Sequence, residues 1–135
     1  MDLKTSIGVS ASGLRAQSLR MRIIAENLAN ADSVAKTPGG NPYRRRVATF
    51  QSEVDKATGG TMVKVDSIVG DKSDFNRIYQ PGNPAADASG YVLQPNVNNL
   101  IETADMKAAQ RSYEANLNAI ESARDMTMRT LDLIK

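Results

Sequence analysis

The sequence predicts an α+β chain with a long helix at each end, the two pairing antiparallel and coiled-coil-like around a small β-rich insertion. Three observations predict it. All five Pro and seven of the nine Gly lie between residues 38 and 95, and such residues punctuate turns rather than helix interiors. Runs rich in β-branched and aromatic residues fall in the same interval. The flanking segments instead repeat apolar residues at three- and four-residue steps. The boundaries predicted are an N-terminal assembly helix over 1–32, a turn-rich β region over 33–98 and a C-terminal assembly helix over 99–135. The two helical segments form one discontinuous domain.

In the first segment Ile7, Leu14, Met21 and Leu28 share one heptad position, while Leu3, Ile24 and Ala31 share the other, interrupted by Ser10 and Gln17. The stripe is narrow and its flanks, Ala11, Ser18 and Ala25, are small. Gly8 and Gly13 each cost an isolated helix about 1 kcal/mol relative to Ala. A helix of this kind is marginal alone, so its stability must come from packing. The expectation is that the terminal segments of an isolated chain stay largely disordered until neighbours bury them.

In the middle, strands are expected at 43–50, 61–69, 75–79 and 91–93, in a small antiparallel unit or extended hairpin whose pairing is open. Thr58-Gly59-Gly60-Thr61 and Gly70-Asp71-Lys72 are turn signals. The first of these reads as a turn that tolerates an inserted tag. Carboxylates near turns, Glu53 with Asp55 and Asp71 with Asp74, read as solvated.

The last segment opens with Asn99-x-x-Glu102, a variant of the capping box. It then runs to Lys135 without Gly or Pro. One seam is Met106, Tyr113, Leu117, Ile120, Thr127, Leu131 and Ile134, and a second strip is Ala115, Ala119, Met126 and Leu133. Two strips exceed what one short partner helix covers, so they are expected to meet neighbouring subunits as well.

Composition removes many function classes. The 135 residues contain neither His nor Cys, which excludes Cys/His zinc sites, thiol nucleophiles, disulfides and His-based triads. No catalytic residue, metal site or cofactor is assigned. No run approaches the roughly 18 apolar residues of a membrane span. The start of the chain lacks the basic and apolar regions of a cleaved secretory signal. A net charge of +2 is too small to argue for nucleic acid. Leu, Ile, Val and Phe number 28, about a fifth of the chain, near the level at which a sequence struggles to enclose its own core. Arg44-Arg45-Arg46 is the one charge run. On a strand its guanidinium groups alternate between faces, which suits ion pairs or a solvated face better than a continuous phosphate stripe.

Three stretches resemble bacterial flagellar basal-body rod proteins, in particular those of the proximal rod. They are Ala25-Glu26-Asn27-Leu28-Ala29-Asn30-Ala31-Asp32-Ser33; Gly39-Gly40-Asn41-Pro42-Tyr43-Arg44-Arg45-Arg46-Val47; and Asn83-Pro84-Ala85-Ala86-Asp87 with Gly90-Tyr91-Val92-Leu93-Gln94-Pro95-Asn96-Val97-Asn98, leading into Arg111-Ser112-Tyr113-Glu114-Ala115-Asn116. The family usually has His where Asn83 stands and often Glu-Met near Ile101-Glu102. The resemblance implies a structural subunit that assembles helically through its terminal helices around an export channel and transmits torque. Its partners would be copies of itself, other rod proteins, the flagellar type III export apparatus and the membrane-ring base. It implies a place in the rod within the periplasmic space, reached without signal cleavage. The expected assembly interface is Leu3, Ile7, Leu14, Met21, Ile24, Asn27, Leu28, Asn30, Tyr113, Asn116, Leu117, Ile120, Leu131 and Ile134. Asn27 and Asn30 are expected either to hydrogen-bond across a helix junction or to cap its end. Contacts of the middle region are expected at Tyr43, Arg44, Arg45, Arg46, Tyr91, Pro95 and Asn96. Two other readings stay open: an autonomous α+β module whose Arg44–Arg46 strand binds an anionic ligand, and another axial rod or hook component.

Overall fold

The computed structural model describes residues 2–135. Two long helices flank four strands: α1 (Leu3–Ala29), β1 (Arg46–Val54), β2 (Thr61–Gly70), β3 (Asn76–Tyr79), β4 (Tyr91–Gln94) and α2 (Asn99–Ile134). The strands make two separate two-stranded sheets, β1 with β2 and β3 with β4. The chain divides into two compact units. One comprises Met1–Met21, Ala48–Ser67 and Lys107–Lys135, the other Arg22–Val47 and Ile68–Met106.

In the first unit α1 starts on a cap, with Thr5 N–H donating to the Asp2 carboxylate at 2.7 Å. Its covered residues are small or polar: Thr5, Ser10, Ser12, Gly13 and Ala16 are all buried. One side lies against the β1–β2 hairpin. Ser12 Oγ accepts the Val63 N–H at 3.1 Å, and Gly60 sits so close that a Cβ there would come within 2.7 Å of Thr5 Cγ2. The Thr58–Thr61 turn is therefore a packed element at Gly60, unlike the tolerant turn expected from its composition; exposed Lys56 and Ala57 are the better insertion points.

Another side of α1 meets α2, running in the opposite sense. A Cβ on Gly13 would lie 2.8–2.9 Å from three atoms of the Asn116 amide, and Leu3 and Ile7 share a cleft with Thr127. Absence of a side chain at Gly13 is what permits this approach. Gly13→Ala gains helix propensity of about 1 kcal/mol but overpacks a site where such insertions cost about 1–3 kcal/mol. The expected net loss is about 1 kcal/mol, recovered when Asn116→Ala is added. Thermal denaturation of the double-mutant cycle checks it.

In the second unit α1 contributes the buried Ile23, Ile24 and Asn27, and the core is completed by Pro42, Ala85, Val92 and Pro95. β3 and β4 are antiparallel with Arg77 opposite Leu93, Ile78 opposite Val92 and Tyr79 opposite Tyr91. The two tyrosine rings meet edge to face with centroids 5.3 Å apart. Gly90 holds φ at +85°, where a side chain would be strained and would strike the Tyr79 ring at 2.8 Å. Asn83, where the resembled family usually has His, caps its own turn by accepting the Ala85 N–H at 2.9 Å. The start of α2 differs from the expected capping box. Asn98, one residue earlier, accepts the N–H groups of Leu100 and Ile101 at 3.0 and 3.3 Å, and this frees Glu102 to turn inward.

Candidate assembly site

Glu102 is fully buried, yet it is a charged residue of a kind rarely enclosed without a partner. Its partners come from two other segments of the second unit. The Arg45 guanidinium donates through Nε to Glu102 Oε1, and Asn27 Nδ2 donates to Glu102 Oε2 at 3.1 Å. Arg45 also pairs with Asp71 at 3.1 Å and approaches Asp105 at 3.6 Å. Burial opposes its charge, but the hydrogen bond and charge of Glu102, followed by those of Asp71, hold its pKa above the usual arginine value.

The backbone at Arg45 and Arg46 is caught between two asparagines. Asn96 Oδ1 accepts the Arg45 N–H at 2.7 Å, while its amide donates to the carbonyls of Asp71 and Ser73 at 3.0 and 3.1 Å. On the other side Asn27 Oδ1 accepts the Arg46 N–H at 3.0 Å and Asn27 Nδ2 donates to the Arg46 carbonyl at 2.9 Å. An amide side chain thereby takes the place of a neighbouring strand, satisfying both backbone groups of one residue. Tyr43 OH donates to the same Asn27 Oδ1 at 2.8 Å, and burial raises the Tyr43 pKa. Asp71, read from sequence as solvated, is held here instead. The backbone and side chain of Ser73, followed by Arg45, lower its pKa against the effect of burial. A lowered carboxylate stabilises the fold above its ordinary value of about 4, and that contribution is lost as pH falls through its folded value.

The arginine run alternates as a strand should. Arg45 points inward, whereas Arg44 stacks on Phe75 at 4.3 Å and donates to the Asp71 and Ser73 carbonyls at 2.5 and 3.1 Å, and Arg46 pairs with Glu26 at 3.1 Å. All three guanidinium groups are engaged within the chain, which leaves little for an anionic ligand. Of the residues expected in the middle region, Tyr43, Arg45, Arg46 and Asn96 come together with Asn27. Arg44 lies beside them. Pro95 is buried in the core, and Tyr91 belongs to the β3–β4 ladder. Asn30 does not join: it donates to the Glu26 carbonyl at 2.9 Å and finishes the helix end. The two readings weighed for Asn27 and Asn30 are thus divided between them.

The other residues expected at the assembly interface are placed unevenly. Ile24 is buried; Leu3, Ile7, Leu14, Met21, Leu28, Tyr113, Asn116 and Ile120 are half-buried; Leu117, Leu131 and Ile134 are exposed by 38%, 52% and 76%. The face that α2 covers is Glu102, Met106, Ala109, Tyr113, Asn116, Ile120, Ala123 and Thr127, an alternation of four- and three-residue steps. Sequence reading found its phase in part, through Met106, Tyr113, Ile120 and Thr127. It missed Glu102, Ala109 and Ala123 because it followed bulk. Apart from Glu102, the fully buried positions of α2 are the small Ala109 and Ala123, whereas Met106, Tyr113 and Ile120 are half-buried and Leu117, Leu131 and Ile134 are exposed. Among the described residues there is no cluster suited to a metal ion, and no helix is long and apolar enough to cross a membrane.

Known proteins are similar to this chain in sequence. A family profile described as flagella basal body rod protein matches residues 7–35, and a second, for the C-terminal part of the flagellar basal body rod FlgEFG proteins, matches residues 88–133. The flagellar basal-body rod protein FlgC of Agrobacterium fabrum is 51% identical over 133 residues, covering 98% of this chain and 96% of that protein. FlgC of Salmonella typhimurium is 42% identical, with 98% of each chain covered. FlgC of Bacillus subtilis is 41% identical, with 96% and 97% covered. The chain belongs to the FlgC family of flagellar basal-body rod proteins, and it is a structural, non-enzymatic rod subunit.

Proposed function

We propose that the chain builds the proximal rod by helical repetition, joining copies of itself and other rod components through the exposed apolar faces of its terminal helices. One observation carries this reading. α2 continues past Thr127, the residue that shares a cleft with the first turn of α1, and every residue from 128 to 135 is exposed. That stretch includes Met128, Leu131, Leu133 and Ile134, exposed by 53%, 52%, 86% and 76%. Apolar residues concentrated on an unaccompanied helix end indicate a contact made with another chain.

In this reading segments 1–32 and 99–135 act as the discontinuous assembly domain around an export channel, and 33–98 supplies contacts outside it. The subunit passes unfolded through the type III export apparatus without signal cleavage, reaches the periplasmic space, and joins the rod above the membrane-ring base to transmit torque. Small inward residues favour such passage, since little bulk must be buried before neighbours arrive. Within one chain Ala16, Ile23, Ile24 and Asn27 are already enclosed, and the outer turns of α2 are left for neighbours to cover.

Leu117, at 38% exposure on α2, gives a direct test. Leu117→Asp should leave synthesis intact and abolish swimming in soft agar; normal swimming of that strain would count against an interface on this face.

A further inference from the structure

Among the described residues, the two methionines open to solvent lie together near the outer end of α2. Met126 and Met128 are exposed by 56% and 53%, whereas Met21, Met62 and Met106 are half-buried. Met62 lies against α1, where a Cβ on Gly8 would come within 3.2 Å of its Cε. Two residues along a helix make about 200° around its axis, so Met126 and Met128 face opposite sides of α2. Each begins an apolar strip that runs toward the end of the helix. Met126 is followed two turns on by Leu133, and Met128 is followed one turn on by Leu131. These leucines are exposed by 86% and 52%. One sulfur atom therefore lies on each strip, in a stretch where every residue from 124 to 135 except Thr127 is exposed.

We propose that Met126 and Met128 form a reversible oxidation site that controls whether a subunit joins the rod, which rests on the contact proposed above for the outer end of α2. The reagent is a two-electron oxidant, a peroxide or hypochlorous acid. With hydrogen peroxide the sulfur lone pair attacks one peroxide oxygen, the O–O bond breaks, an S–O bond forms and water leaves. Sulfur is oxidised by two electrons, and the peroxide is reduced by the same two. A thioether needs only access to the oxidant, and access is what separates these two residues from the other described methionines. The product is a polar, chiral sulfoxide, which a methionine sulfoxide reductase returns to the thioether. On the exposed helix of a free chain the sulfoxide is hydrated, so the fold is kept. In an apolar contact it is enclosed without a hydrogen-bond donor, which weakens binding. A subunit oxidised before it arrives is excluded, and one already packed is shielded.

Dilute hydrogen peroxide added to the purified full-length chain tests the chemistry. Peptide mass spectrometry should show Met126 and Met128 each gaining one oxygen well before Met21, Met62 or Met106, while helical circular dichroism and melting temperature are kept. Equal rates at all five positions, or loss of the helical signal, overturn the proposal. Variants test the consequence in cells. Met126→Gln with Met128→Gln puts an uncharged polar group on both strips, whereas Met126→Leu with Met128→Leu removes the oxidisable sulfur and keeps the apolar character. The Gln pair should be recovered in purified basal bodies at about a tenth of the Leu pair or less. In cells producing the parent and the Leu pair together, a hypochlorite pulse during synthesis should shift the ratio of the two in basal bodies toward the Leu pair. Equal recovery of the Gln and Leu pairs, or a ratio that the pulse leaves unchanged, overturns the proposal. Entry of the Gln pair while Leu131→Asp with Ile134→Asp is kept out removes the oxidation site and spares the contact; entry of both removes the contact as well.

Discussion

Arg45→Met is expected to lower the unfolding free energy by about 3–5 kcal/mol, the usual cost of removing one partner from a buried ion pair. The effect is large because of what remains. Glu102 has no exposed surface, and without Arg45 the side-chain donor left to it among the described residues is Asn27 Nδ2, which also serves the Arg46 carbonyl. A carboxylate would then sit enclosed with one shared hydrogen bond. Asp71 loses its guanidinium as well, but it is part-exposed and keeps the Ser73 N–H at 2.9 Å, so its share is small. Chemical denaturation of the purified chain measures the loss. The companion change, Glu102→Leu added to Arg45→Met, should recover most of it, since no buried charge is then left unpaired.

Leu131→Asp combined with Ile134→Asp should abolish swimming while leaving the isolated chain nearly as stable as the parent. Both side chains are more than half exposed, and substitutions at such positions usually fall within about 0.5 kcal/mol. In an assembled rod the same carboxylates would enter an apolar contact, where an unpaired charge is costly. Carboxylates near a helix C-terminus also oppose its dipole by about 0.3–1 kcal/mol. Leu131→Lys with Ile134→Lys controls for this, because cations at that end favour the helix. Loss of swimming in both pairs assigns the defect to the contact.

Elements were legible where a residue type has one backbone preference. The exclusion of Gly and Pro from the flanks located both helices, and runs such as Thr61–Val69 located the strands. β1 begins at Arg46 rather than Tyr43 because the Tyr43 N–H donates to the Ser33 carbonyl and the Arg45 N–H to Asn96 Oδ1, neither of them a neighbouring strand. The junction itself was hidden. Asn99-x-x-Glu102 matches a capping pattern, but Asn98 supplies the cap, and the pattern says nothing of where Glu102 then points. A usable signal existed in the phase of Glu102 with Ala109, Asn116 and Ala123, which places it on an inward face. Asp71 gave no such signal: its role depends on Arg45, 26 residues away in sequence, and only the folded chain brings them together. Asn27 was singled out through resemblance, and its geometry supplies the reason, a side chain that binds both backbone groups of Arg46.

Incorporation into the basal body tests the structural role most directly. Basal bodies purified from cells producing the Leu131→Asp, Ile134→Asp chain should lack it, although the same chain, purified in parallel, keeps parental helical content and melting temperature. Its recovery in basal bodies at the parental amount would contradict assembly through the exposed end of α2.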